Sequence, residues 1–367
     1  MSIKICHITT AHTRNDCRIF EKECVSLANF GFDVTYLIAD GFGNEIKKNV
    51  NIIDIGEYSA NRMMRFANKT RKLYFHARLI NAHIYHFHDP DFIPFALKLV
   101  RLKKAVIYDV HEDVPRQILQ KLYIPKILRP TFSKMYELYE NNSSKKFSFI
   151  ITSTPYIRNR FQKINSNSID ICNFALLEDT ISSPDWKSRE NSVCYLGGIS
   201  KIRGIFELVE TLKYLECTLH LAGNFESEEV KNEIQRADTW RKVKYYGYCG
   251  KEQIQTILGK SKVGLVLLHP TDNYIFSFPI KLFEYMANGI PIIASRFPLW
   301  QNIIEENNCG ICVDPENPKE IAAAIKYLLD NDSVAEEMGN NGQKAVINRY
   351  NWGEEELKLL KLYQQVT

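Results

Sequence analysis

The sequence has no long hydrophobic run and no pattern of paired cysteines. No uninterrupted apolar stretch approaches the ~20 residues that a membrane-spanning helix requires, and the first residues, MSIKICHITTAH, contain no apolar run of signal-peptide length. Among nine dispersed cysteines only Cys309 and Cys312 form a Cys-x-x-Cys pair, whereas a zinc site needs about four ligands. These absences predict a cytoplasmic protein that is not exported and has neither a membrane span nor a metal site.

Basic residues are concentrated in the first half of the chain. Residues 1–185 contain 26 Lys and Arg against 19 Asp and Glu, whereas residues 186–367 contain 21 against 24. The stretch RMMRFANKTRKLYFHARLI (62–80) combines a basic stripe with apolar residues, and KLYIPKILRPTFSKMYELY adds further basic and aromatic character. Such a segment can lie on an anionic membrane surface. A solvated helix is the alternative, and nucleic acid is disfavoured because no recognition motif accompanies these residues.

Short β-rich runs alternate with amphipathic helical segments along the 367 residues, a length suited to two cores. This alternation predicts an α/β protein with parallel sheets and right-handed crossovers. The expected strands cover residues 3–10, 33–39, 50–56, 83–88, 105–111 and 149–154, and then 192–198, 217–223, 242–248, 263–270, 290–295 and 310–314.

The alternation breaks at about residues 175–191, which are polar and show no periodicity. We therefore expect a Rossmann-like N-terminal domain over residues 1–175 and a second one over residues 192–350. A helix over residues 351–367 is expected to cross back onto the first domain. Doubly wound sheets bind ligands beyond the carboxyl ends of their strands, so two facing units predict a central cleft.

The segment HPTDNYIFSFPIKLFEYMANGIPIIAS (269–295) reads as a loop, a helix that starts at Pro279, a Gly289 cap and a strand. The start of a helix presents free N–H groups and a partial positive charge, which suit a phosphate. Lys281 adds a cation in the first turn, and Glu284 can accept hydrogen bonds from ribose hydroxyls. Taken alone, both residues favour the alternative, a surface lysine and glutamate on an ordinary amphipathic helix.

The segment YLGGISKIRGIFELVETL (195–212) reads as a strand, a Gly-Gly turn, two basic residues and a helix. Gly197 and Gly198 allow the backbone to approach a phosphate closely, and Arg203 can bind it with two hydrogen bonds. Lys201 is the weaker of the two basic candidates, because its spacing can point it outward.

These two segments resemble the retaining glycosyltransferases of family 4, which have the GT-B fold. The resemblance extends along essentially the whole chain and is specific at P-x-K-L-F-E-Y-M-A-x-G-x-P-I-I-A-S. Glu284 takes the place of the family's second glutamate, which holds the ribose, and Arg203-Gly204 falls where the family has Lys-Gly. The sequence departs from the family at Gly198, where an arginine is usual, and at Phe276, where the first glutamate is usual.

The resemblance and the local patterns together assign site residues in the second half. Arg203 and Lys281 are expected to stabilise the charge that develops on the leaving diphosphate. The expected donor-binding residues are Gly197, Gly198, Lys201, Arg203, Tyr248, Ser277, Lys281 and Glu284.

In the first half, candidate residues follow three strands. His111 and Glu112 follow AVIYDV, and in the resembling family a histidine at this point sits by the reacting sugar carbon; a helix-capping loop is the alternative. His88 and Asp89 follow the preceding strand and are expected to contact the acceptor, whereas His86 is expected to be structural and no third metal ligand is evident. After the first strand, His12 and Asp16 are equally consistent with an acceptor site and with a brace at a helix start.

The resemblance implies a retaining, metal-independent transfer of a sugar from a nucleotide-diphosphate sugar, UDP or GDP most of all, with no cofactor. The implied acceptor is a glycan or polyprenyl-linked glycan in bacterial O-antigen, capsule or exopolysaccharide synthesis, at the inner face of the plasma membrane. Two alternatives remain open: a sugar-nucleotide epimerase of the same fold, and a non-catalytic nucleotide-sugar-binding protein, which the Phe276 departure would suit.

Overall fold

A computed structural model describes residues 2–56, 62–121, 123–177 and 185–366, with residues 62–67, 272 and 273 described by their backbone. The chain divides into two compact units. The first comprises Met1–Asn173 and Glu354–Thr367, and the second comprises Phe174–Gly353. None of the described helices has the length and apolarity that a membrane span requires.

The first unit is built on one eight-stranded sheet. Its strands are β1 Lys4–Ile8, β2 Asp33–Ile38, β3 Glu45–Lys47, β4 Val50–Asp54, β5 Ile84–Phe87, β6 Ala105–Val110, β7 Phe149–Thr152 and β8 Ser168–Asp170. Their order is β3-β4-β2-β1-β5-β6-β7-β8, and every pairing is parallel except that of β3 with β4. The strand order reverses direction between β1 and β5, which is the switch point where doubly wound sheets bind ligands.

Helices connect these strands. They are α1 Val25–Asn29, α2 Arg62–Ile80, α3 Ile93–Arg101, α4 Val114–Gln120, α5 Arg129–Ser144 and α6 Pro155–Phe161. The sequence allowed a helix start at Asp16 but did not indicate that Cys17–Cys24 forms a π-helix, which continues into α1. It also missed β3 and β8, which have only three residues each and so carry little periodicity.

The second unit has a six-stranded, fully parallel sheet. Its strands are β9 Ser192–Leu196, β10 Thr218–Ala222, β11 Val243–Gly247, β12 Val263–Val266, β13 Ile292–Ser295 and β14 Gly310–Val313. The order β11-β10-β9-β12-β13-β14 is the Rossmann order, with the switch point between β9 and β12.

The helices of the second unit pack on this sheet. They are α7 Ile205–Thr211, α8 Glu228–Gln235, α9 Lys251–Lys260, α10 Asp272–Ile275, α11 Ile280–Ala287, α12 Pro298–Glu306, α13 Pro318–Asp330 and α14 Asp332–Asn348. The last helix, α15 Trp352–Val366, belongs to the first unit from Glu354 onward. Leu282, Phe283 and Met286 of α11 are fully buried, as their helical spacing predicted. Gly289 has a φ of +62° directly after that helix, which confirms its predicted capping role.

Candidate active site

The turn that follows β9 lies at the switch point of the second unit. Gly197 and Gly198 are exposed, and the Arg203 guanidinium lies over them, since a Cβ at Gly198 would be 3.1 Å from its Nη1. The Tyr195 hydroxyl donates a 2.9 Å hydrogen bond to the Gly198 carbonyl and fixes the turn. The peptide groups of two glycines and a guanidinium therefore face the same small volume. We call Gly197, Gly198 and Arg203, together with Lys281, the cationic turn.

Lys281 supplies the second cation of this site. Its Nζ is buried, lies 3.7 Å from the centroid of the Tyr195 ring, and has no hydrogen-bond partner among the described residues. Burial and the positive charge of Arg203 lower the pKa of Lys281 to about 7, and the charge of Glu284 offsets part of this effect. A buried ammonium without a partner is costly, so its position favours an anionic ligand.

The other predicted donor residues differ in their placement. Glu284 lies one turn beyond Lys281 on α11, close enough for its charge to act on Lys281. The Ser277 hydroxyl donates a 3.1 Å hydrogen bond to the Tyr274 carbonyl in the loop before α11. Lys201 is exposed, and Tyr248 is 82% exposed after β11, a strand that β10 separates from β9. The structure thus brings Arg203, Lys281 and Glu284 together.

His269 also lies at this switch point, although the sequence analysis did not select it. It follows β12, and its Nε2 lies 3.2 Å from Oε1 of Glu207 on α7. Its position just past the end of a buried strand was the available signal. Nothing in the sequence indicated that Glu207, on a different helix, would be its partner.

In the first unit, polar side chains fill the switch point between β1 and β5. Asp109 is fully buried near the end of β6, where it accepts hydrogen bonds of 3.0 and 2.8 Å from the Arg18 guanidinium. His111 and His88 approach the same carboxylate at 2.8 and 3.1 Å. Burial opposes ionisation of Asp109, but Arg18 and His111 outweigh it and hold its pKa well below the usual range. This buried carboxylate orients two of the predicted site histidines.

A second layer of contacts surrounds this carboxylate. His12 Nδ1 lies 2.8 Å from the Asp16 carboxylate, and the His12 and His111 ring centroids are 5.1 Å apart. Burial opposes the charged form of His12, but Asp16 and Asp89 outweigh it and raise the His12 pKa. Asp89 in turn accepts hydrogen bonds of 2.6 Å from the Thr9 hydroxyl and 2.7 Å from the Thr10 N–H.

Asp16 has a second contact, and Glu112 lies apart from the other predicted residues. Asp16 also caps the π-helix by accepting hydrogen bonds from the Arg18 and Ile19 N–H groups, so the predicted brace is present beside the His12 contact. Glu112 is exposed. The structure therefore brings His12, Asp16, His88, Asp89 and His111 together and places Glu112 on the surface.

Arg18, Glu23 and Asp109 were not predicted from the sequence as site residues. Asp109 alternates with His111 along β6, and this period of two was the signal that could have identified it. Arg18 and Glu23 are five residues apart, a spacing that does not share a face in an α-helix. The wider turn of the π-helix brings the Arg18 Nε to 3.2 Å from the Glu23 carboxylate.

The arrangement resembles that of known proteins of one structural class. Sucrose-phosphate synthase from Thermosynechococcus elongatus superposes with a TM-score of 0.79 at 17% identity, over 100% of this chain and 99% of that one. HepE of Anabaena, solved in complex with UDP, superposes with a TM-score of 0.76 at 13% identity, over 99% of this chain and 100% of that one. The fold is that of the GT-B glycosyltransferases.

Most of the second unit matches one family model. Residues 178–345 match the family Glycosyl transferases group 1, so the chain carries a Glycosyl transferases group 1 domain. The second unit is thus a glycosyltransferase domain.

Three relatives are similar at low identity. They are an uncharacterized glycosyltransferase of Methanocaldococcus jannaschii (24% identical, over 44% of this chain and 42% of the relative), a phosphatidyl-myo-inositol mannosyltransferase of Mycobacterium leprae (22%, over 77% and 73%) and the capsular polysaccharide biosynthesis glycosyltransferase CapM of Staphylococcus aureus (24%, over 55% and 54%). The chain thus spans between two fifths and three quarters of the length of these relatives.

Proposed function

We propose that this chain transfers a sugar, with retention of configuration, from a nucleotide-diphosphate sugar to a glycan or lipid-linked glycan acceptor. The observation that carries the proposal is the buried Lys281 ammonium, which has no hydrogen-bond partner among the described residues and lies beside Arg203 at a Rossmann switch point. A diphosphate is the ligand that would satisfy both cations and the exposed glycine turn.

The two cations of the cationic turn and Glu284 have different roles in this proposal. When the bond between the anomeric carbon and the diphosphate oxygen breaks, negative charge grows on that oxygen, and Arg203 and Lys281 stabilise it. Two fixed cations do the work that a divalent metal does in other enzymes, so the transfer needs neither a metal ion on the diphosphate nor a cofactor. Glu284 accepts hydrogen bonds from the ribose hydroxyls, as the family resemblance implies.

The comparisons support the donor class. HepE was solved with UDP, and the relatives from M. leprae and S. aureus are a mannosyltransferase and a capsular polysaccharide glycosyltransferase. We therefore favour UDP or GDP as the nucleotide and bacterial surface-polysaccharide synthesis as the setting. The first unit supplies the acceptor side, with His12, Asp16 and Asp89 as polar contacts, whereas His88 is buried and has its Nδ1 on the Asp109 carboxylate. His111, which Asp109 orients, lies beside the reacting carbon of the transferred sugar in this proposal.

A transfer assay with purified protein tests this function. Mass spectrometry should detect a glycosylated acceptor from the correct nucleotide sugar, after a thermal-shift panel of UDP, GDP and ADP has selected the nucleotide. Arg203→Ala and Glu284→Ala should each lower kcat/KM by about 10- to 100-fold, the loss of one charge-assisted interaction. The control Lys213→Ala, an exposed residue of the same unit, should leave kcat/KM unchanged.

Three results would contradict the proposal. Conversion of the nucleotide sugar without an acceptor would indicate an epimerase, and nucleotide binding without any turnover would indicate a binding protein. Unchanged kcat/KM in either site variant would reject the role given to that residue.

We further propose that the first unit binds an anionic membrane surface that carries the acceptor. The sequence placed this face on residues 62–80, with residues 121–139 adding basic and aromatic character. In the structure, Leu73 and Ala77 of α2 are fully buried and the Lys72 ammonium donates to the Ile55 carbonyl. The side chains of Arg62 and Arg65 lie outside the described residues. The predicted stripe is therefore partly used in packing.

The surface formed by residues 123–139 fits a membrane better. It includes α5 and the segment before it, with Lys126 and Lys134 exposed among apolar side chains. Its exposed apolar residues are Tyr123, Ile127, Leu128, Phe132, Met135, Leu138 and Tyr139. A groove of about 540 Å³ between α4 and α5 is lined by Ile118, Phe132 and Met135 among others, and suits the hydrocarbon of a lipid carrier.

Co-sedimentation with vesicles tests this surface. The wild-type protein should sediment with vesicles that contain 30–40% anionic lipid, about tenfold more than with neutral vesicles. The double variant Ile127→Ser, Phe132→Ser should lose most of this binding, whereas Ile347→Ser, which changes an exposed apolar residue of the second unit, should keep it. Equal sedimentation of all three proteins would reject this surface as the membrane contact.

A further inference from the structure

Four buried side chains of the first unit point potential metal-binding atoms at one another. His7, Glu23, His86 and His88 are each at most 2% exposed, and one ligand atom from each lies within 4.8 Å of the others. His7 Nδ1 lies 3.0 Å from His88 Nε2 and 4.0 Å from Glu23 Oε2, which itself lies 3.9 Å from His86 Nε2. Ligands about 2.0–2.1 Å from a tetrahedral zinc ion lie about 3.3 Å apart, so small side-chain shifts would complete such a site.

The opposite ring nitrogens are already anchored. His86 Nδ1 lies 2.8 Å from the Tyr363 hydroxyl, His7 Nε2 lies 3.3 Å from the same hydroxyl, and His88 Nδ1 lies 3.1 Å from the Asp109 carboxylate. In metal sites, a histidine ligand characteristically holds its second ring nitrogen in such a hydrogen bond, which fixes the tautomer and aims the other nitrogen at the metal. All three histidines show this arrangement.

Three of the five inward-facing atoms lack a hydrogen bond, whereas His7 Nδ1 and His88 Nε2 are within hydrogen-bonding distance of each other. Both carboxylate oxygens of Glu23 and the Nε2 of His86 are buried. None of these three atoms has a hydrogen-bond partner among the described residues. Arg18 is the cation that pairs with Glu23, at 3.2 Å, and it also binds Asp109 through two hydrogen bonds. One guanidinium thus serves two buried carboxyl groups.

We propose that His7, Glu23, His86 and His88 bind one zinc ion as a closed structural site. Three imidazole nitrogens and one carboxylate oxygen form a borderline ligand set that suits zinc, and full burial leaves no open position for a substrate. The ion would tie β1, β5 and the π-helix together. No third metal ligand to accompany the histidines of β5 is evident from the sequence. The structure supplies His7 from the adjacent strand and Glu23 from the π-helix.

A neighbouring group, His88 with Asp109 and His111, is geometrically similar but less suited to a metal. Both oxygens of Asp109 are already hydrogen bonded to Arg18, and His111 is 19% exposed and contacts that carboxylate directly. This group is satisfied by protein contacts alone. The zinc proposal does not depend on the proposed transferase function, because its ligand atoms are closed to substrate and nucleotide binding belongs to the second unit.

Metal analysis of the purified full-length chain tests the proposal directly. Protein purified without chelator should contain about one zinc per chain, and X-ray absorption should show a first shell of nitrogen and oxygen at about 2.0 Å. Zinc on the free cysteines would instead show sulfur at about 2.3 Å. Protein without zinc, whose melting temperature does not rise on adding zinc, or a sulfur first shell, would overturn the proposal.

Variants locate the ion. Glu23→Gln and His86→Gln should each lower the zinc content at least tenfold. The control is His220→Gln, which changes a buried strand histidine that also contacts a tyrosine hydroxyl. This variant should keep the zinc content of the wild type, since no second histidine lies beside His220 among the described contacts. If the site variants do not fold, the metal-free wild-type protein can be titrated with Co(II) instead. A visible absorption spectrum typical of tetrahedral Co(II) would support the site, and the absence of that spectrum would reject it. Zinc retained by both folded variants also rejects it.

Discussion

Both units have a doubly wound sheet, but the side chains at their switch points are arranged in opposite ways. In the first unit the carboxyl ends of β1, β5 and β6 are filled by protein side chains, with Asp109 at the centre and Arg18, His88 and His111 around it. In the second unit the ends of β9 and β12 carry exposed glycines and two cations, and no carboxylate of the described residues bonds Lys281.

The difference shows where each unit obtains its counter-ions. The first unit carries both signs of charge within its own fold, so its polar residues contribute to stability and to the orientation of His111. The second unit has Glu284 near its two cations, yet the Lys281 ammonium has no hydrogen-bond partner among the described residues, which leaves that place to an anionic ligand. A substitution should therefore affect stability most in the first unit and ligand binding most in the second.

The largest expected effect is on the stability of the first unit. Arg18→Leu would leave Asp109 and Glu23 buried without their cation, which should lower the free energy of unfolding by about 3–5 kcal/mol. All four tryptophans lie in the second unit, so their fluorescence reports that unit, whereas circular dichroism reports both. Urea unfolding should show a circular dichroism transition at lower urea and an unmoved fluorescence transition.

The control for this experiment is an exposed ion pair of the same unit. Lys48→Ala breaks the contact of Lys48, which is 53% exposed, with Glu21, and should cost less than about 1 kcal/mol. Equal losses in the two variants would mean that burial of the Arg18 pair adds nothing, and the contrast between the units would fail.

The second effect is a gain in stability of the free protein together with a loss of nucleotide affinity. Lys281→Met removes a buried ammonium without a partner, so the free protein should melt a few degrees higher, while the affinity for the selected nucleoside diphosphate falls about 100-fold. Differential scanning fluorimetry and isothermal titration calorimetry measure the two quantities. A variant that binds the nucleotide normally, or melts lower than the wild type, would show that Lys281 is a structural residue.

The smallest effect is a pH dependence of nucleotide binding. The pKa of Lys281 is about 7 in the free protein, and a bound diphosphate should raise it, because an opposite charge favours the protonated form. The affinity should therefore be constant just below pH 7 and fall by at most tenfold per pH unit as the pH rises from 7 to 9. Calorimetry across this range should find a flat profile in Lys281→Met, and a falling profile in that variant would assign the titration to another group.

The same pKa predicts how the stability of the free second unit depends on pH. The folded pKa of about 7 lies below the ordinary lysine value of about 10.4, so the unfolded chain binds more protons between these values. The contribution of Lys281 to the free energy of unfolding should therefore become more favourable as the pH rises from 7 towards 10.

Much of the fold could be predicted from the sequence because its strands are short apolar runs separated by helical periodicity. All twelve expected strands are present, and the α11 segment has the buried face and glycine cap that its pattern indicated. In the second unit, the structure brings Arg203, Lys281 and Glu284 together, because they lie within two local strand–turn–helix motifs that share one switch point, and their roles stay predictions.

The histidine-rich centre of the first unit could not be predicted in this way. Its members come from β1, the π-helix, β5, β6 and α15, and their contacts depend on lateral strand register, such as His7 opposite His86. Tyr363 reaches His86 across 277 positions of the chain. Local periodicity carries no information about such pairings.

The sequence alone therefore determined the α/β class, the strand positions and the cationic motifs of the second unit, since hydrophobic periodicity and helix-start chemistry act over a few residues. Only the tertiary structure decided which charges of the first unit are neutralised internally. That outcome depends on burial and on distances between side chains far apart in the chain, with the π-helix as one local feature that its sequence does not reveal.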